Sequence, residues 1–386
     1  MTKEKLCSYL FLLVYVVLLN ACITPFSFKN TENEDEILVV DGNIILNGET
    51  KVYLSLMEKL DDNYPRTIYI KDANVLVESK LGIKLAGTVT TEVNNPPFFL
   101  INTRMLPMDG QYKLCIDLPN GRSYESDFLT PLLTPEIDAI DYAVNETGSA
   151  VDFLVTTYGN LNSSYYYKWN YTEDWEVTAQ FRPNIYYNPQ IGSFFSYPSD
   201  PLLYYCWGHS ASTSILITRT DHLAENTVHK FSVVTIGDRS DKISYLYSIE
   251  LVQMSISGEA YTYWSTLKRN TDEIGGIFAP QPNDLYGNIR CVSDKKVRTI
   301  GYISAGTRSV KRIFASFQDI GIYKPFNCSF YDFSKDPPPP PTDAQLHHWG
   351  YRVVQLTPRE WAPARCVDCT MIGTKNKPYF WPNDHQ

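Results

Sequence analysis

From residue 37 onward, apolar and polar positions alternate in short runs, the two-residue period of half-buried β-strands. The pattern predicts strands over 37–40, 52–56, 74–78 and 98–101. It then predicts a hairpin, 111–118 with 123–129, around Pro119-Asn120-Gly121, where Asn-Gly supplies the positive φ angles of a tight turn. Thr130-Pro131-Leu132-Leu133-Thr134-Pro135 interrupts the alternation and reads as a boundary. Beyond it, strands are predicted over 150–156, 165–171, 214–218, 231–234, 243–254, 297–303 and 311–317. Tyr165, Tyr167, Trp169 and Tyr171 would share one face. One segment has helical spacing, 258–269, with Ser257 as N-cap, Glu259 in the first turn, and Tyr261 and Trp264 toward the core. Residues 182–205, with four prolines among tyrosines, read as a long irregular loop. Pro337 to Pro341 reads as a stiff spacer. The fold class expected is mainly β. An immunoglobulin-like or prealbumin-like β-sandwich over 37–135 precedes a larger β-rich domain over 136–336 with one clear helix, and 337–386 forms a Pro-rich spacer and a Cys-containing tail.

The start of the chain has a different pattern. Lys3, Glu4 and Lys5 precede an apolar run from Leu6 to Leu19, followed by Leu19-Asn20-Ala21-Cys22. About 14 apolar residues are too few to span a bilayer, which takes about 20, so residues 1–21 read as a signal peptide. A small residue before a cysteine, directly behind such a run, looks like the lipobox of a bacterial lipoprotein. Cys22 would then carry acyl chains, and 22–36 would be a lipidated flexible tether. The alternative is a plain secretory signal with Cys22 an ordinary cysteine. The acidic stretch Asn30-Thr31-Glu32-Asn33-Glu34-Asp35-Glu36 resembles a surface-export signal. These features imply a lipid-anchored outer-membrane protein facing the cell exterior.

Charge and composition narrow the function. A net charge of −9 argues against a general nucleic-acid binder, which needs a basic face. The 28 tyrosines suit pleated, half-buried positions and also ligand contact. Behind Cys22 lie six further cysteines, Cys115, Cys206, Cys291, Cys328, Cys366 and Cys369. An even count in an exported chain suggests disulfides. The pairs expected are Cys206 with Cys291, and Cys328 with Cys366 or Cys369, leaving Cys115 a free thiol inside a strand. Cys366-Val367-Asp368-Cys369 has the spacing of a redox site or half a zinc site, but neither a βαβ context nor a second ligand pair accompanies it. Gly208-His209-Ser210-Ala211-Ser212 lacks the final glycine of a nucleophile elbow. The histidines show no metal-ligand spacing. Neither a catalytic residue, a metal nor a cofactor is implied, and the chain reads as a non-enzyme.

Several fragments together resemble a Bacteroidetes outer-membrane lipoprotein family of unknown function, the domain-of-unknown-function family 4249. They are Leu38-Val39-Val40-Asp41-Gly42, Tyr112-Lys113-Leu114, Tyr124-Glu125-Ser126, Tyr167-Lys168-Trp169, Tyr247-Ser248-Ile249, Gly275-Gly276-Ile277-Phe278 and Gly287-Asn288-Ile289. The ending, Cys366-Val367-Asp368-Cys369 and Asn376-Lys377-Pro378-Tyr379-Phe380-Trp381, is the most specific of them. The family often occurs beside TonB-dependent receptors. The resemblance therefore implies an accessory partner that captures or gates a nutrient for such a transporter. Tyr186, Tyr187, Phe194, Phe195 and Tyr197 are the residues put forward for ligand contact, the alternative being that these rings pack their own loop. A structural or adhesive envelope protein and a glycan hydrolase are the other readings.

Overall fold

The first sandwich is built from strands whose alternate residues are buried. In a computed structural model, which describes residues 37–57, 67–92, 95–160, 163–197, 203–272, 285–336 and 338–382, one of its sheets has the order Thr299–Ile300, Leu38–Gly42, Glu49–Leu56, Phe98–Asn102, Thr88–Thr90. The facing sheet has the order Ile289–Cys291, Ser123–Ser126, Tyr112–Asp117, Asn74–Ser79, Lys84–Ala86. Val40, Leu54 and Ile101 from the first meet Val75, Leu114 and Tyr124 from the second in one apolar core. The predicted hairpin is present, with Ser123 opposite Asp117 and Gly121 at φ +84°. Cys22, the signal and the tether lie outside the described residues, as does Gly275-Gly276-Ile277-Phe278.

The sandwich is not confined to 37–135. Residues 289–306 return to complete it, adding an edge strand to each sheet and a short parallel pair of Ile44–Ile45 with Ala305–Gly306. The expected boundary at residue 135 therefore marks where the chain leaves the sandwich, not where the sandwich ends. Residues 37–386 form one compact unit.

The second sandwich packs a three-stranded sheet (Ala139–Val144, Ala150–Tyr158, Thr227–Gly237) on a larger one ordered Tyr205–Ala211, Tyr166–Thr178, Leu246–Ile256, Arg308–Ser316. Leu216–Arg219 also pairs with Tyr166–Thr178. Tyr167 and Trp169 are fully buried in its core, Tyr171 is partly buried, and Tyr165 is exposed. Both polar atoms of the Gln253 side chain, fully buried, are hydrogen-bonded. Its Oε1 accepts from Trp169 Nε1 (2.8 Å) and Thr157 Oγ1 (2.7 Å), and its Nε2 donates to the Pro135 carbonyl (2.9 Å). That last bond, with Thr134 Oγ1 donating to Thr307 O at 2.5 Å, pins the Pro-rich connector between the sandwiches. Among the described residues no helix is long and apolar enough to cross a membrane.

The long helix spans Gly258–Asp272, three residues beyond its predicted end, and Ser257 Oγ accepts from Ala260 N as its cap. Its buried residues are Ala260 and Tyr263, whereas Tyr261 and Trp264, expected in the core, are only partly buried. The helix lies on the outer face of the second sandwich, so these two rings flank the contact. Tyr261 packs on Tyr166 (5.3 Å between centroids) and Trp264 covers Lys168, whose Nζ lies 3.5 Å from the ring centroid. Burial pushes the Lys168 ammonium down to about 8, against the opposing pull of Asp41. The unfolded chain thus holds more protons than the folded one between pH 8 and about 10.5, and stability rises with pH across that window. Urea midpoints measured from pH 7.5 to 9.5 are expected to climb for the native chain and to stay flat for Lys168→Met.

Candidate functional site

Within residues 182–205 the described stretch 182–197 is not an irregular loop. Ile185–Asn188 and Ser193–Ser196 pair as a hairpin, with Tyr186 opposite Phe195 and Tyr187 opposite Phe194. The prolines that suggested irregularity fall outside the paired stretches. Pro183 precedes the first strand, Pro189 sits in the turn, and Pro198 and Pro201 follow the second, outside the described residues. Asn188 Oδ1 accepts from Gln190 N (2.9 Å), and Gly192 takes φ +68°, which closes the turn. The two faces of the hairpin differ. Tyr187 and Phe194 point into a cluster with Leu346, Val353 and fully buried Trp361, while Tyr186 and Phe195 stack on the outer face, centroids 5.7 Å apart, and are exposed.

The chain beyond the prolines is a folded part of the body, not a spacer and tail. Thr342 and Gln345 form a capping box that starts the helix Asp343–His348. A hairpin of Tyr351–Gln355 with Glu360–Pro363 follows, then short helical turns that carry the last two cysteines. The disulfides are Cys206–Cys369 and Cys328–Cys366, and Cys115 and Cys291 are free and buried. The expected pair of Cys206 with Cys291 is thus incorrect. Cys291 ends an edge strand of the first sandwich, whereas Cys206 lies in the second, where the tail delivers Cys369 to it. The two cysteines of Cys366-Val367-Asp368-Cys369 go to different partners, so each bond holds the same turn against a different element.

The hairpin and this tail enclose a cleft of about 190 Å³, small beside the roughly 300–1,000 Å³ of larger-ligand sites. Tyr186, Tyr187 and Tyr197 of the residues put forward from the sequence line it. Phe194 instead packs inward, and Phe195 backs Tyr186. Tyr186 and Tyr197 sit 4.9 Å apart and form an aromatic wall. Sequence reasoning missed the polar side, which comes from His347, Arg352 and Asp368. The signal was there for Arg352, a lone cation within Tyr351-Arg352-Val353-Val354, but nothing local showed what it faces. Arg352 donates through Nη1 to the carbonyls of Tyr351 (2.9 Å) and His347 (3.4 Å), and no carboxylate pairs with it among the described residues. Burial first, then the Arg352 charge, holds the His347 imidazole below its usual value, so it is neutral at pH 7. Burial likewise raises the Tyr197 phenol, which stays a donor. Asp368 Oδ1 accepts from the Thr370 amide (2.9 Å) and hydroxyl (2.6 Å), which orients the carboxylate at the rim. Aromatic faces beside a guanidinium, a neutral imidazole and a carboxylate suit a compact polar solute with one flat or apolar face.

The packed and the exposed rings of the hairpin are separable here. Tyr187→Ala is expected to cost about 3 kcal/mol, because it empties a packed site, while Tyr186→Ala costs under about 1 kcal/mol, as surface changes do. Urea unfolding of the two variants checks this.

A buried polar network underlies the other end of the tail. Trp381, nearly fully buried, donates Nε1 to Glu176 Oε2 (2.9 Å), and the Arg312 guanidinium lies 3.5 Å from the Phe380 ring centroid. Arg312 also pairs with Asp174 (3.2 Å) and Glu250 (3.0 Å), and Asp174 meets His209 Nδ1 at 2.7 Å. This places His209 of the half-matched Gly-His-Ser-Ala-Ser stretch in hydrogen-bond contact with the carboxylate that Arg312 pairs with. Among the described residues no group of three His, Cys, Asp or Glu side chains is placed to hold a metal ion.

Residues 23–312 match the family model described as "Domain of unknown function (DUF4249)". No curated protein matches the chain. The matched region takes in the first sandwich, the 185–196 hairpin and the second sandwich up to the middle of its edge strand Arg308–Ser316, and it stops before the tail that closes the cleft.

Proposed function

Given that this chain belongs to the DUF4249 family, a description that fixes kinship but no activity, we propose that it is a non-catalytic, lipid-anchored outer-membrane protein. It captures a small polar solute in the tyrosine-lined cleft and passes it to a TonB-dependent receptor. The observation that carries the reading is the cleft itself, where a partly exposed aromatic wall meets an arginine that has no carboxylate partner among the described residues. A site built to stabilise the fold would neutralise that charge, since an unpaired, partly buried cation is costly. Two disulfides fix the wall that carries Arg352 and Asp368, and preorganisation of that kind lowers the entropy lost on binding. The N-terminal lipobox supplies the membrane attachment, and two or more acyl chains on Cys22 give the stable anchoring that one chain does not.

The anchoring half is tested by growing the source cells with an alkyne-labelled palmitate. The native chain is expected to take up label and to fractionate with the outer membrane, and Cys22→Ala to do neither. An unlabelled native chain that retains Met1 would remove the anchor from the account.

A further inference from the structure

The first sandwich holds a second cavity, far larger than the cleft. Its edge strands Ile289–Cys291 and Thr299–Ile300 belong to opposite sheets, and residues 292–298 cross from one sheet to the other. At this crossing lies a cavity of about 960 Å³, at the upper end of the range for small-molecule sites. Its walls are apolar, with Val297 and Ile289 shared with the core of the sandwich, and Val292 exposed at the edge. Among the described residues its charged lining is of one sign, Arg290, Lys295, Lys296 and Arg298. The acid of the crossing, Asp294, uses Oδ1 to accept from the Lys296 backbone amide (3.0 Å), and Asp127 engages Arg290. No carboxylate pairs with the Lys295 or Lys296 ammonium among the described residues. In a chain of net charge −9, four cations around one apolar cavity are a local inversion.

We propose that this cavity binds a monomeric anionic amphiphile. The acyl chain lies along Val292, Val297 and Ile300, and the carboxylate or phosphate head sits on Lys295 and Lys296. Apolar walls alone would accept any oily molecule. The one-sided charge selects a negative head, because charge-assisted bonds to ammonium groups are lost when the head is neutral. The site shares no residue with the tyrosine cleft and does not depend on that cleft's function.

Calorimetric titration of the chain from residue 23 onward, which keeps every described element, with dodecanoate below its micellar concentration tests the proposal. Saturable one-to-one binding is expected, weakened about fourfold for each methylene removed on going to decanoate. The Lys295→Glu/Lys296→Glu variant, changed only at exposed positions, should lose at least tenfold in affinity with an unaltered unfolding midpoint. Dodecanol should bind at least tenfold more weakly than dodecanoate. Tyr186→Ala should bind dodecanoate like the native chain. An absence of saturable binding, or equal affinity for dodecanoate in the charge-reversed variant, would overturn the proposal. So would flotation with phosphatidylglycerol vesicles without binding of monomeric dodecanoate, which would make the basic rim a membrane contact.

Discussion

Replacing both Cys206 and Cys369 by alanine should lower the unfolding free energy by about 5 kcal/mol. The bond closes a loop with a sequence separation of 163, and the chain-entropy model gives that magnitude for so long a loop. The Cys328–Cys366 bond, with a separation of 38, is worth about 4 kcal/mol in the same model. Against a total stability of about 5–15 kcal/mol, either is a large share. Cys291→Ala serves as the control. Its thiol bonds no other cysteine, so its loss costs only a small buried group, about 1 kcal/mol. Urea unfolding of the three proteins separates the pairing seen here from the Cys206–Cys291 pairing that spacing suggested. Equal effects of the Cys206→Ala/Cys369→Ala and Cys291→Ala replacements would contradict the structure.

Trp381→Ala should cost about 4 kcal/mol, in the range for emptying a buried indole site. Trp381 fills a small cluster with Trp207 and Leu246, and its Nε1 supports the carboxylate of fully buried Glu176. Removing the ring exposes the cluster and weakens the support of a buried charge at once. Trp381→Phe separates the two contributions. It keeps most of the packing and loses the charge-assisted bond, for an expected cost of about 1.5–3 kcal/mol. If Trp381→Ala changed stability by less than about 1 kcal/mol, the tail's end would be an appendage and not a clamp. Thermal melts of the two variants, read beside the native chain, decide this.

What could be read from the sequence follows from how local each signal is. The alternation through Tyr167 and Trp169 marked a core strand because side-chain period is intrinsic to the strand. The Asn120-Gly121 turn was legible because Gly121 takes φ +84° and Asn120 Oδ1 accepts from Arg122 N, both local turn features. The return of 289–306 was not legible, since its pairings to Leu38–Gly42 and Ile44–Ile45 are two residues long, parallel and distant in sequence. The hairpin at 185–196 was hidden by prolines that lie just outside its strands, although Tyr187 and Phe194 already stood at positions that could face each other. The helix face was misplaced by one residue, because Tyr261, Tyr263 and Trp264 are all aromatic and only the neighbours decide which is buried. Half of the cleft was found from the sequence. Its aromatic wall is local, and its charged wall arrives from residues 347–368, carried there by disulfides whose partners spacing alone could not name.

The central claim is that this β body works at the outer membrane through a receptor. Its most direct test is a pull-down of the native protein after mild detergent extraction, followed by mass spectrometry. The account predicts a large β-barrel receptor recovered in roughly stoichiometric amount. Recovery of the chain by itself, or with matrix or host-surface components in place of a barrel, would contradict it.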